Sequence, residues 1–173
     1  KVAMKIETTI LKNLLQNEDY ARKVLPFLKE DYFTENCDKI VYNHINSFII
    51  KYNNLPTKEA LNIELSESKI TEEDFKESTN LVDEIDKNEE NYTDLSWLLD
   101  TTEKFCQDKA IYNAVVESIS ILDNPKSISD KGAIPDILSD ALSVSFDPHV
   151  GHDYIDDSDD RYDFYHRVEE RIP

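Results

Sequence analysis

Apolar side chains recur at helical spacing between residues 36 and 53, and this pattern constrains the fold more than any other feature of the chain. The apolar positions step by three and four without a break, which places them on one side of an α-helix; they are Cys37, Ile40, Val41, Ile45, Phe48, Ile49 and Tyr52. His44 lies on the same side and is predicted to be a hydrogen-bonded structural histidine. The segment is therefore predicted to be a core helix.

The scarcity of glycine also favours helices throughout. Only Gly132 and Gly151 occur in 173 residues, whereas folds with many tight turns use this residue more often. The same scarcity argues against a glycine-rich loop that would hold a phosphate. No Walker A, nucleophile-elbow or zinc-protease motif occurs in the sequence. We therefore predict an all-α fold with no catalytic residue and no cofactor site in this chain.

The first 92 residues are predicted to form a small helical head domain. Helices are expected from about residue 4 to residue 16 and from about residue 18 to residue 25, where Pro26 stops the second one. Thr57 and Thr71 each precede a further apolar-periodic segment, and both are expected to cap helices. A polar linker over residues 86–91 then separates the head from the rest of the chain.

Residues 93–146 are predicted to form a helical hairpin. A long helix is expected over residues 93–123, and a second one begins at Pro135, a residue that suits the first turn of a helix. If the polar loop between them doubles back, the two helices pair antiparallel. Their apolar residues are predicted to mediate subunit association, although packing within the chain remains an open alternative for each; they are Leu98, Phe105, Tyr112, Ile119, Ile137 and Leu138.

Residues 147–173 are predicted to form a linker followed by a linker helix. The acidic residues between positions 156 and 160 suit the N-terminal end of a helix, because the helix dipole is positive there. A short helix has little stability without packing partners. This one is therefore predicted to dock on a surface outside the chain through an aromatic and apolar face made of Tyr162, Phe164, Tyr165 and Val168.

The charge of the chain restricts its partners. The formal net charge of −18 repels the phosphate backbone of nucleic acids and anionic membrane surfaces, so no direct nucleic-acid binding is expected. The sequence contains no apolar run long enough to span a bilayer and does not begin with a secretory signal. A cytoplasmic protein that binds other proteins is therefore predicted.

A pair of histidines and two cysteines could be taken for a metal site and a redox site, but neither site is predicted. His149 and His152, with nearby aspartates, have suitable chemistry for a zinc or manganese site. They lie in a predicted connector that would not hold both rings in place, and no metal site is predicted. Cys37 and Cys106 are not in a C-x-x-C arrangement and are predicted to be buried free thiols.

Four strings of the sequence resemble a known family. They are DYF at 31–33, LPTKEALN at 55–62, GAIPDIL at 132–138 and VGHDYIDD at 150–157. Together with the order of the predicted helices, they resemble the N-terminal region of the replicative DNA helicases of T-even-like bacteriophages, which are the phage branch of the hexameric DnaB-type helicases. The resemblance is most specific in the last 45 residues.

The resemblance implies a role in DNA replication within the cytoplasm of a bacterial host. In this family the N-terminal domains form a collar on a hexameric ring, the linker helix packs on the motor domain of the adjacent subunit, and the collar engages primase or a helicase loader. The motor domain, which uses ATP and Mg, would begin just after Pro173. The phosphate-binding loop and its lysine have no counterpart in this chain, so no ATPase or unwinding residue is carried over.

The net charge also supports an alternative of a different class. An acidic helical protein can mimic DNA and block a nucleic-acid-binding protein. That alternative predicts acids in two phosphate-like rows and a stable small oligomer that needs no motor domain.

Overall fold

Helices are the only regular secondary structure in the part of the protein that its structure describes. The computed structural model describes residues 5–87, 93–124 and 128–146, and within these ranges it contains α-helices and two 3-10 helices but no strand. The predicted all-α fold is confirmed. The α-helices are α1 (Ile6–Gln16), α2 (Glu18–Val24), α3 (Asn36–Tyr52), α4 (Lys58–Glu67), α5 (Glu72–Asp86), α6 (Leu95–Asp123) and α7 (Ile134–Leu142), and the 3-10 helices are Glu30–Tyr32 and Ile128–Ala133.

Capping side chains begin several of these helices. The hydroxyl of Thr57 accepts a hydrogen bond from the amide of Ala60 at 3.1 Å, and the hydroxyl of Thr71 accepts one from the amide of Asp74 at 3.0 Å. These bonds satisfy backbone N–H groups that have no partner inside the helix. The capping roles predicted for both threonines are thereby confirmed.

The core of the head is shared by α1 to α5 and by the first half of α6. Leu98, Phe105 and Cys106 of α6 are buried in the same cluster as the apolar residues of the preceding helices. The ring of Phe105 lies 5.8 Å from that of Phe33, and the hydroxyls of Tyr20 and Thr102 are hydrogen-bonded at 2.5 Å. The first half of α6 is therefore a structural part of the head core.

The second half of α6 pairs with α7 as an antiparallel hairpin. Small side chains let the helices approach closely, since Ala114 and Ala141 are both buried. The side-chain amide of Gln107 donates a hydrogen bond to the carbonyl of Val144 at 3.0 Å. Because this bond joins the residues after α7 to the first half of α6, the chain returns from the hairpin toward the head.

Candidate subunit-association surface

Helix α6 presents three different sides to its surroundings. One side, with Leu98, Thr102 and Phe105, is buried against the head. A second side, with Ala110 and Ala114, lies toward α7. Neither the head nor α7 covers the third side, which is exposed along the second half of the helix. This third side is the candidate surface.

Large apolar residues cover the exposed side of α6 between positions 111 and 122. Their spacing of three and four residues makes them neighbours on one face of the helix. Exposed apolar surfaces of this kind mark protein interaction sites when they are contiguous. We name this surface the α6 stripe; it consists of Ile111, Tyr112, Val115, Val116, Ile119 and Leu122, all of which are exposed.

The structure places the six residues that are predicted to mediate subunit association in three different environments. Leu98 and Phe105, with 1% and 7% of their surface exposed, lie in the head core. Tyr112 and Ile119, with 64% and 51% exposed, lie on the α6 stripe. Ile137 and Leu138 are half-buried on α7. Intramolecular packing therefore accounts for the first pair, and the second pair is available to a partner.

The residues predicted to mediate association include only Tyr112 and Ile119 of the stripe. Ile111, Val115, Val116 and Leu122 were not among them and are also exposed. The signal that could have found them is the density of apolar residues between positions 111 and 122. One buried face of a helix accommodates about three to four apolar residues in two turns, and this segment carries more.

The remaining predicted site residues lie outside the described ranges. These are the linker-helix residues Tyr162, Phe164, Tyr165 and Val168, together with His149 and His152. In the ranges that the structure does describe, no group of three or more His, Cys, Asp or Glu residues could hold a metal ion. No helix in those ranges is long and apolar enough to cross a membrane.

Burial shifts the pKa values of the two cysteines and of His44 in the direction that favours their uncharged forms. Burial raises the pKa of the Cys106 thiol to about 12 and that of Cys37 to about 11, so both thiols stay protonated near neutral pH. Burial lowers the pKa of His44, with an opposing effect from Glu64. A protonated thiol is a poor nucleophile, so the surroundings of the two cysteines do not activate them.

Asp38 carries the one buried carboxyl group in the part of the chain that the structure describes. Its Oδ2 atom has no hydrogen-bond partner among those residues, and the Nζ atom of Lys5 lies 4.0 Å away. Burial raises the pKa of the Asp38 carboxyl, and Lys5 opposes this effect in part. The charged form of Asp38 is therefore disfavoured in the folded protein.

Replacing Asp38 with asparagine is expected to raise the free energy of unfolding near pH 7. The folded protein binds the Asp38 proton more tightly than the unfolded chain does, so the wild type loses stability as the pH rises from the ordinary range of a carboxyl through the raised pKa. The variant lacks this titration, and its advantage should disappear in acid. Urea unfolding at a series of pH values measures the difference.

Asp83→Asn is the control for this prediction. Asp83 pairs with Lys58 at 2.8 Å on the surface, and such exposed pairs contribute little to stability. We expect the control to follow the pH dependence of the wild type. A loss of stability in Asp38→Asn at neutral pH would mean that the pairing with Lys5 outweighs the cost of burial.

The comparison with known proteins agrees with the resemblance seen in the sequence. No family model matches the chain. The DnaB-like replicative helicase of Enterobacteria phage T4 is 34% identical over 172 residues, which cover 95% of this chain and 36% of that protein. The chain therefore spans about a third of the length of this relative. The chain is similar, over nearly its whole length, to part of a phage DnaB-like replicative helicase.

Proposed function

We propose that this chain is the N-terminal collar region of a replicative DNA helicase and that copies associate through the α6 stripe. The observation that supports this proposal is an exposed apolar surface on the hairpin of a chain that is similar to part of a replicative helicase. The parent protein would form a hexameric ring in the cytoplasm of a bacterial host. Its motor domain would lie beyond this chain and use ATP and Mg.

A second copy of the chain is the partner that best fits the stripe. The six residues of the stripe carry no charge, so pairing two stripes buries apolar surface without burying an unpaired ion. A two-fold interface uses the same surface on both subunits. The stripe also lies on a helix that is held at its other end by the head core, and a rigid surface loses less conformational entropy on association.

Two further contacts belong to the same proposal. The linker helix would dock on the motor domain of a neighbouring subunit through Tyr162, Phe164, Tyr165 and Val168. Primase or a helicase loader would bind to the assembled collar. Both contacts are proposed by analogy with the helicase family.

Ile119→Asp is expected to weaken association of the chain by at least about tenfold, because each interface would bury an unpaired carboxylate. Light scattering across a concentration series measures the molar mass of the wild type and the variant. Ser120→Asp is the matched control, because it adds the same charge at the neighbouring exposed position, outside the stripe. Circular dichroism checks that both variants keep the helical content of the wild type.

The dependence on salt is part of the same experiment. Each copy carries a net charge of −18, so the copies repel one another and added salt should tighten an apolar association by screening. The alternative function, an acidic mimic of DNA, predicts binding to a basic protein that weakens with salt. A wild-type chain that stays monomeric at every concentration and salt level, or equal association by wild type and Ile119→Asp, would contradict the assembly proposal for the stripe.

A further inference from the structure

Residues 143–146, which follow α7, bind the hairpin back to α6 and to the head. The carbonyl of Val144 accepts the hydrogen bond from Gln107. The amide of Phe146 donates a hydrogen bond to Oε2 of Glu103 at 2.8 Å. We name residues 143–146 the latch, because they make the last described contacts of the chain after the hairpin.

An aromatic pair joins the latch to the head. The ring of Phe146 stacks on the ring of Phe27 with 4.6 Å between centroids and an interplanar angle of 26°. Phe27 lies in the turn after α2, and its amide donates to the carbonyl of Val24 at 2.9 Å. Val144 and Phe146 also pack against the head core. The latch therefore connects α7 to two separate parts of the head.

Most side chains of α7 are partly buried or exposed. The helix contains nine residues, and among its side chains only Ala141 is buried, while Leu142 is 71% exposed. A helix of this length is unstable without packing, because isolated helices shorter than about 12 residues are marginal in water. Contacts with α6 and with the latch therefore together hold α7 in its packed position.

We propose that the latch is a release point, at which separation of Phe146 from Phe27 lets α7 leave α6 while the head stays folded. Opening would separate α7 from the small-residue side of α6, where Ala110 and Ala114 line a groove together with Ile137 and Ala141 of α7. Residue 147 follows the latch directly in the chain. Among the contacts described for the hairpin, the Phe27–Phe146 pair is therefore the first on which a force applied at this end of the chain would act.

Hydrogen exchange of the full chain, measured by mass spectrometry, tests this proposal. Phe146→Ala is expected to accelerate the exchange of α7 amides by about tenfold, because loss of an aromatic pair and its burial favours local opening. Amides of α3 should exchange at the wild-type rate, since the hydrogen bonds and the ring contact described for the latch go to α6 and to the turn after α2. Phe27→Ala, which removes the other ring, should reproduce the effect.

Phe48→Ala is the matched control, because it removes one ring of a similar pair in which Phe48 and Tyr52 lie 4.7 Å apart on α3. It should leave the exchange of α7 unchanged. Glu103→Gln keeps the packing and weakens the bond to Phe146, so it should accelerate α7 by less than Phe146→Ala and in the same direction. Unchanged α7 exchange in Phe146→Ala, or equal acceleration of α7 and α3, would overturn the proposal.

Discussion

Phe105→Ala is expected to lower the free energy of unfolding by about 3–5 kcal/mol, the usual cost of deleting a buried phenylalanine ring. Tyr112→Ala, seven residues further along the same helix, is expected to lower it by less than about 1 kcal/mol. The difference arises because Phe105 packs near Phe33 inside the head, whereas Tyr112 is mostly exposed on the α6 stripe. Urea unfolding followed by circular dichroism measures both values.

Phe105 and Tyr112 are seven residues apart on the same helix, so the two variants compare a core residue with a surface residue of one sequence pattern. Tyr112→Ala should instead affect association, which light scattering detects in the same samples. If both variants lost the same stability, the placement of α6 relative to the head would be incorrect. A charge at position 105 would unfold the head, so Phe105→Asp is unsuitable as a probe of assembly.

Tyr20→Phe is expected to lower the free energy of unfolding by about 1–3 kcal/mol, because it leaves the Thr102 hydroxyl buried without a partner. The two hydroxyls are hydrogen-bonded at 2.5 Å, and both residues are buried. Burial raises the pKa of Tyr20, with a smaller opposing effect from the bond to Thr102. The phenol therefore remains protonated, and its hydroxyl joins α2 to α6 as a neutral group.

A double-mutant cycle with Thr102→Val measures this contact. Either single substitution removes one partner, whereas the double variant removes both, so the double variant should lose less stability than the sum of the two single losses. Tyr52→Phe is the control, because Tyr52 is half exposed and loss of its hydroxyl should change stability by less than about 0.5 kcal/mol. Additive losses would show that the two hydroxyls contribute independently.

The helices could be predicted from the sequence because their determinants are local. The apolar spacing between residues 36 and 53 matches α3, and the threonine caps at 57 and 71 match the starts of α4 and α5. Each of these signals depends on residues that are close together in the chain. The helix type and most boundaries therefore follow without knowledge of the tertiary structure.

The association surface could be predicted only in part, because it depends on what covers each side of α6. Leu98, Phe105, Tyr112 and Ile119 share one seven-residue spacing, yet the first two are buried and the last two are exposed. An α-helix drifts by about 20° per heptad, and the buried side chains that α6 contributes to the head core end at Cys106. The stacking of Phe27 on Phe146 joins distant parts of the sequence, and no local pattern indicates it.

The continuity of α6 has a consequence for how this segment tolerates sequence change. One unbroken helix runs from Leu95 to Asp123, so the buried side near Cys106 sets the direction of the side chains that follow. Inserting one residue between Cys106 and Ile111 would turn everything beyond it by about 100° and advance it by about 1.5 Å. Substitutions there alter one contact at a time, whereas a single insertion or deletion would turn the whole stripe away from its present direction.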